Sequence, residues 1–107
     1  MLLSAEQREI IITWAERNPK VGTVSLLGSR VHGSANLDSD IELGLSLAGG
    51  SDSWWGLWVF VSSRRAWRAE LEKALGLRVH LQLESGEPAG NVLDQIEVAQ
   101  VTLWRRV

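Results

Sequence analysis

The sixteen residues from Gly28 to Leu43, GSRVHGSANLDSDIEL, constrain the fold more than any other part of the chain. Ahead of them, Thr23 to Leu27 places Val24 and Leu26 at alternate positions, the pattern of a short strand. Gly28 and Ser29 interrupt it. A glycine lets the backbone come close to a ligand, and N–H groups opening a following helical turn point at whatever sits there, so such a turn suits phosphate. From Ser39 to Leu47 the alternation resumes, with Ile41, Leu43, Leu45 and Leu47 on one face and Asp40, Glu42, Gly44 and Ser46 on the other. Asp40 and Glu42 therefore point the same way. Two adjacent carboxylates repel unless a cation lies between them, and a hard divalent ion, Mg2+ above all, suits that arrangement. Alone, such a pair is an ordinary solvated strand face. Behind an anion-binding turn, it makes a metal grip for a nucleoside triphosphate.

This arrangement resembles the signature of the polymerase beta-like nucleotidyltransferase superfamily, in which a GS pair and an acidic-x-acidic pair on the next strand are separated by ten residues. Gly28 and Ser29 match the first and Asp40 and Glu42 the second, with Ile41 between them. Together with Arg30, Gly33 and Ala35 the stretch looks like the minimal nucleotidyltransferase branch. The resemblance implies Gly28, Ser29, Arg30 and Gly33 as nucleotide-binding residues, and Asp40 and Glu42 as metal ligands. It also implies two Mg2+ ions, ATP or another nucleoside triphosphate as substrate, and in-line transfer of a nucleoside monophosphate to an acceptor hydroxyl. AMP from ATP is the foremost case, with a protein or small molecule as acceptor.

In active relatives a third carboxylate lies on a later strand, within a basic residue, valine, acid, leucine pattern. Here Arg78, Val79, His80 and Leu81 occupy that register, so His80 stands where the acid belongs. A neutral histidine ligates metal or accepts a proton, but brings no negative charge to Mg2+. Glu84 shares the strand face, yet four residues along a strand is roughly 13 Å. Glu42 is longer than the usual aspartate. Asp38 reads as a loop residue or outer helper of the metal pair, and His32 as a turn residue within reach of phosphate.

The alternative is a catalytically weakened, nucleotide-binding antitoxin-like module, because minimal nucleotidyltransferases are often paired with helical toxins of the HEPN type. Larger relatives hold the acceptor with an added helical domain, for which 107 residues leave no room, so the resemblance implies such a toxin partner or self-association. Trp54, Trp55 and Trp58 cluster beyond a glycine loop; they suit either a core or a protein contact.

Composition narrows the class. At 107 residues and 45% hydrophobic content, one compact domain spanning residues 1–107 is expected. No cysteine excludes disulfides and thiolate metal sites, and MLLSAEQREI lacks the form of a signal peptide, so a cytoplasmic, membrane-free protein is expected. A net charge of -2 argues against a dedicated nucleic-acid binder, and Arg64, Arg65 and Arg68 then read as a solvated helix face.

The elements follow from pattern. Ser4 and Gln7 form a capping box for a helix from Ala5 to Arg17, closed by Pro19. Trp54 to Val61 is apolar on every side and suits strand or buried helix; helix is taken. Ser62 or Ser63 caps a second helix with Trp67, Leu71, Ala74 and Leu75 as its apolar stripe and Gly76 as its stop. Leu77 to Glu84 alternates as a third strand; a polar loop, a helix around Val92 to Val98 and a short element from Val101 to Trp104 complete the chain. This describes an α/β (α+β) fold with a small mixed sheet packed against helices on one face.

Overall fold

The computed structural model describes residues 3–33, 35–50, 54–84 and 100–107; the helix expected around Val92 to Val98 lies outside them. α1 (Ala5–Arg17) starts at the capping box read from the sequence. The Ser4 hydroxyl accepts from the Gln7 N–H and Gln7 Oε1 accepts from the Ser4 N–H, both at 3.0 Å. At its other end Arg106 crosses from the end of the chain. Its Nη2 donates to the carbonyls of Ala15 at 3.0 Å and Asn18 at 2.8 Å, and its Nε to Val21 O at 2.9 Å. A cation over the last carbonyls of a helix also meets the negative end of its dipole.

β1 (Val21–Leu27), β2 (Ile41–Leu47), β3 (Val79–Leu83) and β4 (Gln100–Arg105) form one sheet in the order β3-β2-β1-β4. β1 is antiparallel to both β2 and β4, while β2 and β3 are parallel. The short element expected at Val101 to Trp104 is thus a full fourth strand. Its pairing with β1 shifts register between Val24 and Ser25, which blurs the two-residue period that would have announced it.

Parallel neighbours need a crossover, and α3 (Trp54–Leu75) supplies the one between β2 and β3. It runs unbroken for 22 residues, where the sequence suggested two helices with a cap at Ser62 or Ser63. Ser62 instead turns its hydroxyl back to donate to Trp58 O at 2.7 Å, so the serine is satisfied inside the helix and interrupts nothing. Gly76 ends the helix as expected. At φ 70° it adopts the left-handed region, and its N–H donates to Glu72 O at 2.8 Å.

The core lies between the apolar sheet face and α1 and α3. Ile41, Leu43 and Leu45 on β2, Val24 and Leu26 on β1, and Val79 and Leu81 on β3 meet Ile11, Val59, Phe60 and Leu71 from the helices. Trp14 and Trp67 stack edge-on with centroids 5.9 Å apart, and the Trp14 indole N–H donates to Glu70 Oε2 at 2.8 Å. The opposite sheet face is polar. No helix among the described residues is long and apolar enough to cross a membrane.

Candidate nucleotide site

Sheet register brings the expected residues together. Leu27 pairs with Glu42, and Glu42 with His80, so the end of β1, the acidic strand and the third position form a row across three strands. Gly28 leaves β1 straight into α2 (Ser29–His32), a single turn closed by Gly33. Gly28 is required twice over: its φ of 74° suits glycine alone, and a Cβ there would run into the Glu42 carboxylate. The turn and Glu42 are therefore in contact. Gly33, at φ 82°, closes α2 in the left-handed conformation, its N–H donating to Ser29 O.

Asp40 precedes β2 and shares the polar face with Glu42. Its Oδ2 lies 3.1 Å from His80 Nε2, and both side chains are about half exposed, at 51 and 50%. The third position thus engages the first acid directly, an ion pair when the imidazole is protonated.

Arg30, grouped with the nucleotide-binding residues from the sequence, is 1% exposed. Its Nη2 donates to the carbonyls of Leu37 at 2.8 Å and Ser39 at 2.5 Å, its Nε to Asp40 O at 3.3 Å, and its Nη1 to Gln7 Oε1 at 3.3 Å. Gln7 Nε2 also donates to Leu37 O, at 3.1 Å. The guanidinium faces inward and braces the loop that delivers Asp40. Burial pushes its pKa below the ordinary arginine value, while Asp38 in the same loop acts the other way. Asp38 itself is a loop residue, its N–H donating to Asn36 Oδ1 at 2.8 Å. His32 is exposed at the end of α2.

Glu84 reaches the site's face in a way strand spacing alone did not suggest. Its carboxylate folds back over Gly44, where any Cβ would collide with it, so it lies one β2 repeat from Glu42. Partial burial raises its pKa above the usual 4.5. Pairing a bare glycine with a long acid two strand positions on was the signal available in the sequence. The Arg30 brace left none, because Leu37, Ser39 and Asp40 accept through their backbone carbonyls. Among the described residues no group of three or more histidine, aspartate or glutamate side chains is placed to hold a metal ion.

No family model matches the chain, and no curated protein matches it significantly. Solved structures do. One is a toxin-antitoxin determined with AMP-PNP, at 24% identity and a TM-score of 0.62, covering 92% of this chain and 73% of that one. Another is a toxin-antitoxin MntA-HpeT mutant with two aspartates two positions apart changed to glutamate, at 26% identity, the same TM-score of 0.62 and the same coverage of 92 and 73%. The likeness shows the fold and bears out the expected class, a small mixed sheet with helices on one face, as in the nucleotidyltransferase fold.

Proposed function

We propose that this chain is a nucleotidyltransferase-like antitoxin module of the cytoplasm. It takes a nucleoside triphosphate between the Gly28–Gly33 turn and the Asp40 and Glu42 pair, and passes AMP, from ATP, to an acceptor hydroxyl on a toxin partner or small molecule. The observation that carries this reading is the row across three strands, with Gly28 against Glu42 and His80 bonded to Asp40 at 3.1 Å. The neighbours add support from outside: one was solved with AMP-PNP, and another carries substitutions at two aspartates with the spacing of Asp40 and Glu42.

The donors fit one Mg2+. Asp40 and Glu42 offer two carboxylates, and this ion characteristically takes its remaining ligands from phosphates and water. When bound it neutralises charge on the triphosphate. The second ion of a two-metal arrangement lacks its third carboxylate, since His80 stands there. Gly28, without a side chain, opens the backbone to the phosphates, and Arg30 holds the Asp40 loop in register. With His80 Nε2–H donating to Asp40, the other ring nitrogen keeps its lone pair. It takes the proton of the acceptor hydroxyl while the oxygen bonds the α-phosphorus and pyrophosphate leaves.

The bond between Asp40 and His80 also favours a second reading. It occupies an oxygen that a metal would use, which suits a module that binds nucleotide and a HEPN-type helical toxin with little turnover. Incubation with α-labelled ATP, Mg2+ and a candidate HEPN-type protein separates the two. Labelled partner supports transfer, and His80→Asp should then raise its rate. Nucleotide binding without label supports the second reading, and absence of both binding and transfer overturns both.

A further inference from the structure

α3 carries a stripe that the nucleotide site does not use. Trp54, Leu57, Trp58 and Val61 lie at helical spacing on one face and are 87, 45, 68 and 67% exposed. The stripe continues over the next two turns as Arg64, Arg65 and Arg68, all exposed. The helix is nonetheless docked: Gly56, Val59, Phe60, Trp67 and Leu71 on its other side are buried. Clustered exposure of large apolar side chains marks an interaction surface.

The stripe is complementary to itself in reverse. Val61 is its midpoint, with Trp54 seven residues before and Arg68 seven after, and Trp58 three before and Arg64 three after. Two such helices packed antiparallel about an axis at Val61 set each Trp54 beside the other copy's Arg68 and each Trp58 beside its Arg64. Leu57 then lies along the stem of Arg65. A guanidinium over an aromatic face is a favourable pairing that this chain already makes, with Arg106 over Trp104 at 4.8 Å and Arg64 over Phe60 at 5.9 Å. Among the described residues Arg68 holds a long, exposed ion pair with Glu72, at 3.9 Å. In a parallel pair, arginine would face arginine.

We propose that this face of α3 is an interface between two copies of this chain, paired antiparallel about Val61. The apolar half of the stripe covers roughly 500 Å² per copy, taking 150–250 Å² for a fully exposed tryptophan. The apolar halves of the two copies together supply about 1,000 Å² and the arginine stems add the rest, which sets the interface near the low end of the range of specific complexes, so the dimer should form and dissociate with concentration. It lies apart from the nucleotide site. α3 begins beyond the end of β2 and only its last turns reach the site end of the sheet, where Glu72 Oε2 accepts from the Val79 N–H at 2.9 Å.

Analytical ultracentrifugation of the full chain over a concentration series tests this. Wild type should pass from monomer to dimer by a few hundred micromolar. Val61→Arg, which brings like charges together at the axis, should stay monomeric with ATP binding unchanged. The chain has no cysteine, so Val61→Cys should oxidise to a covalent dimer. Trp54→Cys should not, because antiparallel pairing sets the two copies of that position about 20 Å apart. A wild type that stays monomeric, a dimer that survives Val61→Arg, or equal crosslinking at both positions overturns the proposal. A monomer whose α3 tryptophans resist acrylamide quenching would show the stripe covered by the chain's own residues, and overturns it as well.

Discussion

Two stretches of this chain depart from ordinary surface chemistry, and they do so in opposite senses. From Gly28 to Leu43, polar groups are drawn inward: Arg30 is 1% exposed with its donors on Leu37, Ser39, Asp40 and Gln7, and Glu42 lies against Gly28. From Trp54 to Val61, apolar groups are left outside, Trp54 at 87% and Trp58 at 68% exposure. The first stretch is completed by the chain itself, so the positions of Asp40 and Glu42 are set before any ligand arrives. The second is left uncovered among the described residues. Burial thus separates the proposed nucleotide site, held in place by the chain, from the proposed contact surface on α3.

The largest difference is expected within α3. Trp67→Ala removes a buried, edge-stacked indole and should cost about 3–5 kcal/mol in denaturant unfolding. The same change at exposed Trp58 should cost under about 0.5 kcal/mol on the monomer, and equal losses would mean the two halves of the helix are not different in kind. In the turn, Arg30→Met strips buried carbonyls of their donors and should cost about 2–4 kcal/mol. Arg30→Lys should not restore it, since one ammonium cannot span that fork of acceptors. Full rescue by lysine would show that charge rather than geometry holds the loop.

A smaller effect is expected at Gly28. Gly28→Ala should cost about 1–3 kcal/mol through its positive φ and the contact with Glu42, and ATP affinity should fall in the same titration. A stable variant with unchanged affinity would detach the turn from the site. Smallest is a pH effect at Glu84. Its folded pKa is raised, so its contribution to stability is full below the ordinary glutamate range and is lost as pH rises through the raised value. Glu84→Gln should therefore gain stability over wild type at neutral pH, with the gain shrinking on acidification toward that range. A gain independent of pH would mean that ionisation is not its source.

How legible these regions were in the sequence follows from what each residue contacts. β2 announced itself because Ile41, Leu43, Leu45 and Leu47 are all buried on one face, so the period of the sequence is the period of the structure. α1 was equally plain, since Ser4 and Gln7 are local partners three residues apart. The row of Gly28, Glu42 and His80 was visible only through family resemblance, because strand register fixes it and register is not local. Trp54 to Val61 resisted reading for a physical reason: an apolar residue left exposed on a helix has the same composition as one facing the core. Arg30 was placed among ligand-binding residues because a basic residue in a phosphate turn invites that role. It donates to the main-chain carbonyls of Leu37, Ser39 and Asp40, seven to ten residues ahead, which no side-chain pattern records.

The proposal for the Gly28 to Leu43 stretch is a nucleotide site set in place by the fold. Titration of the isotope-labelled full chain with ATP and Mg2+, followed residue by residue by NMR, tests it most directly. The largest shifts should fall at Gly28 to Arg30 and Asp40 to Glu42, with Trp54 to Val61 unmoved. A silent turn and acidic pair at millimolar ATP would contradict it.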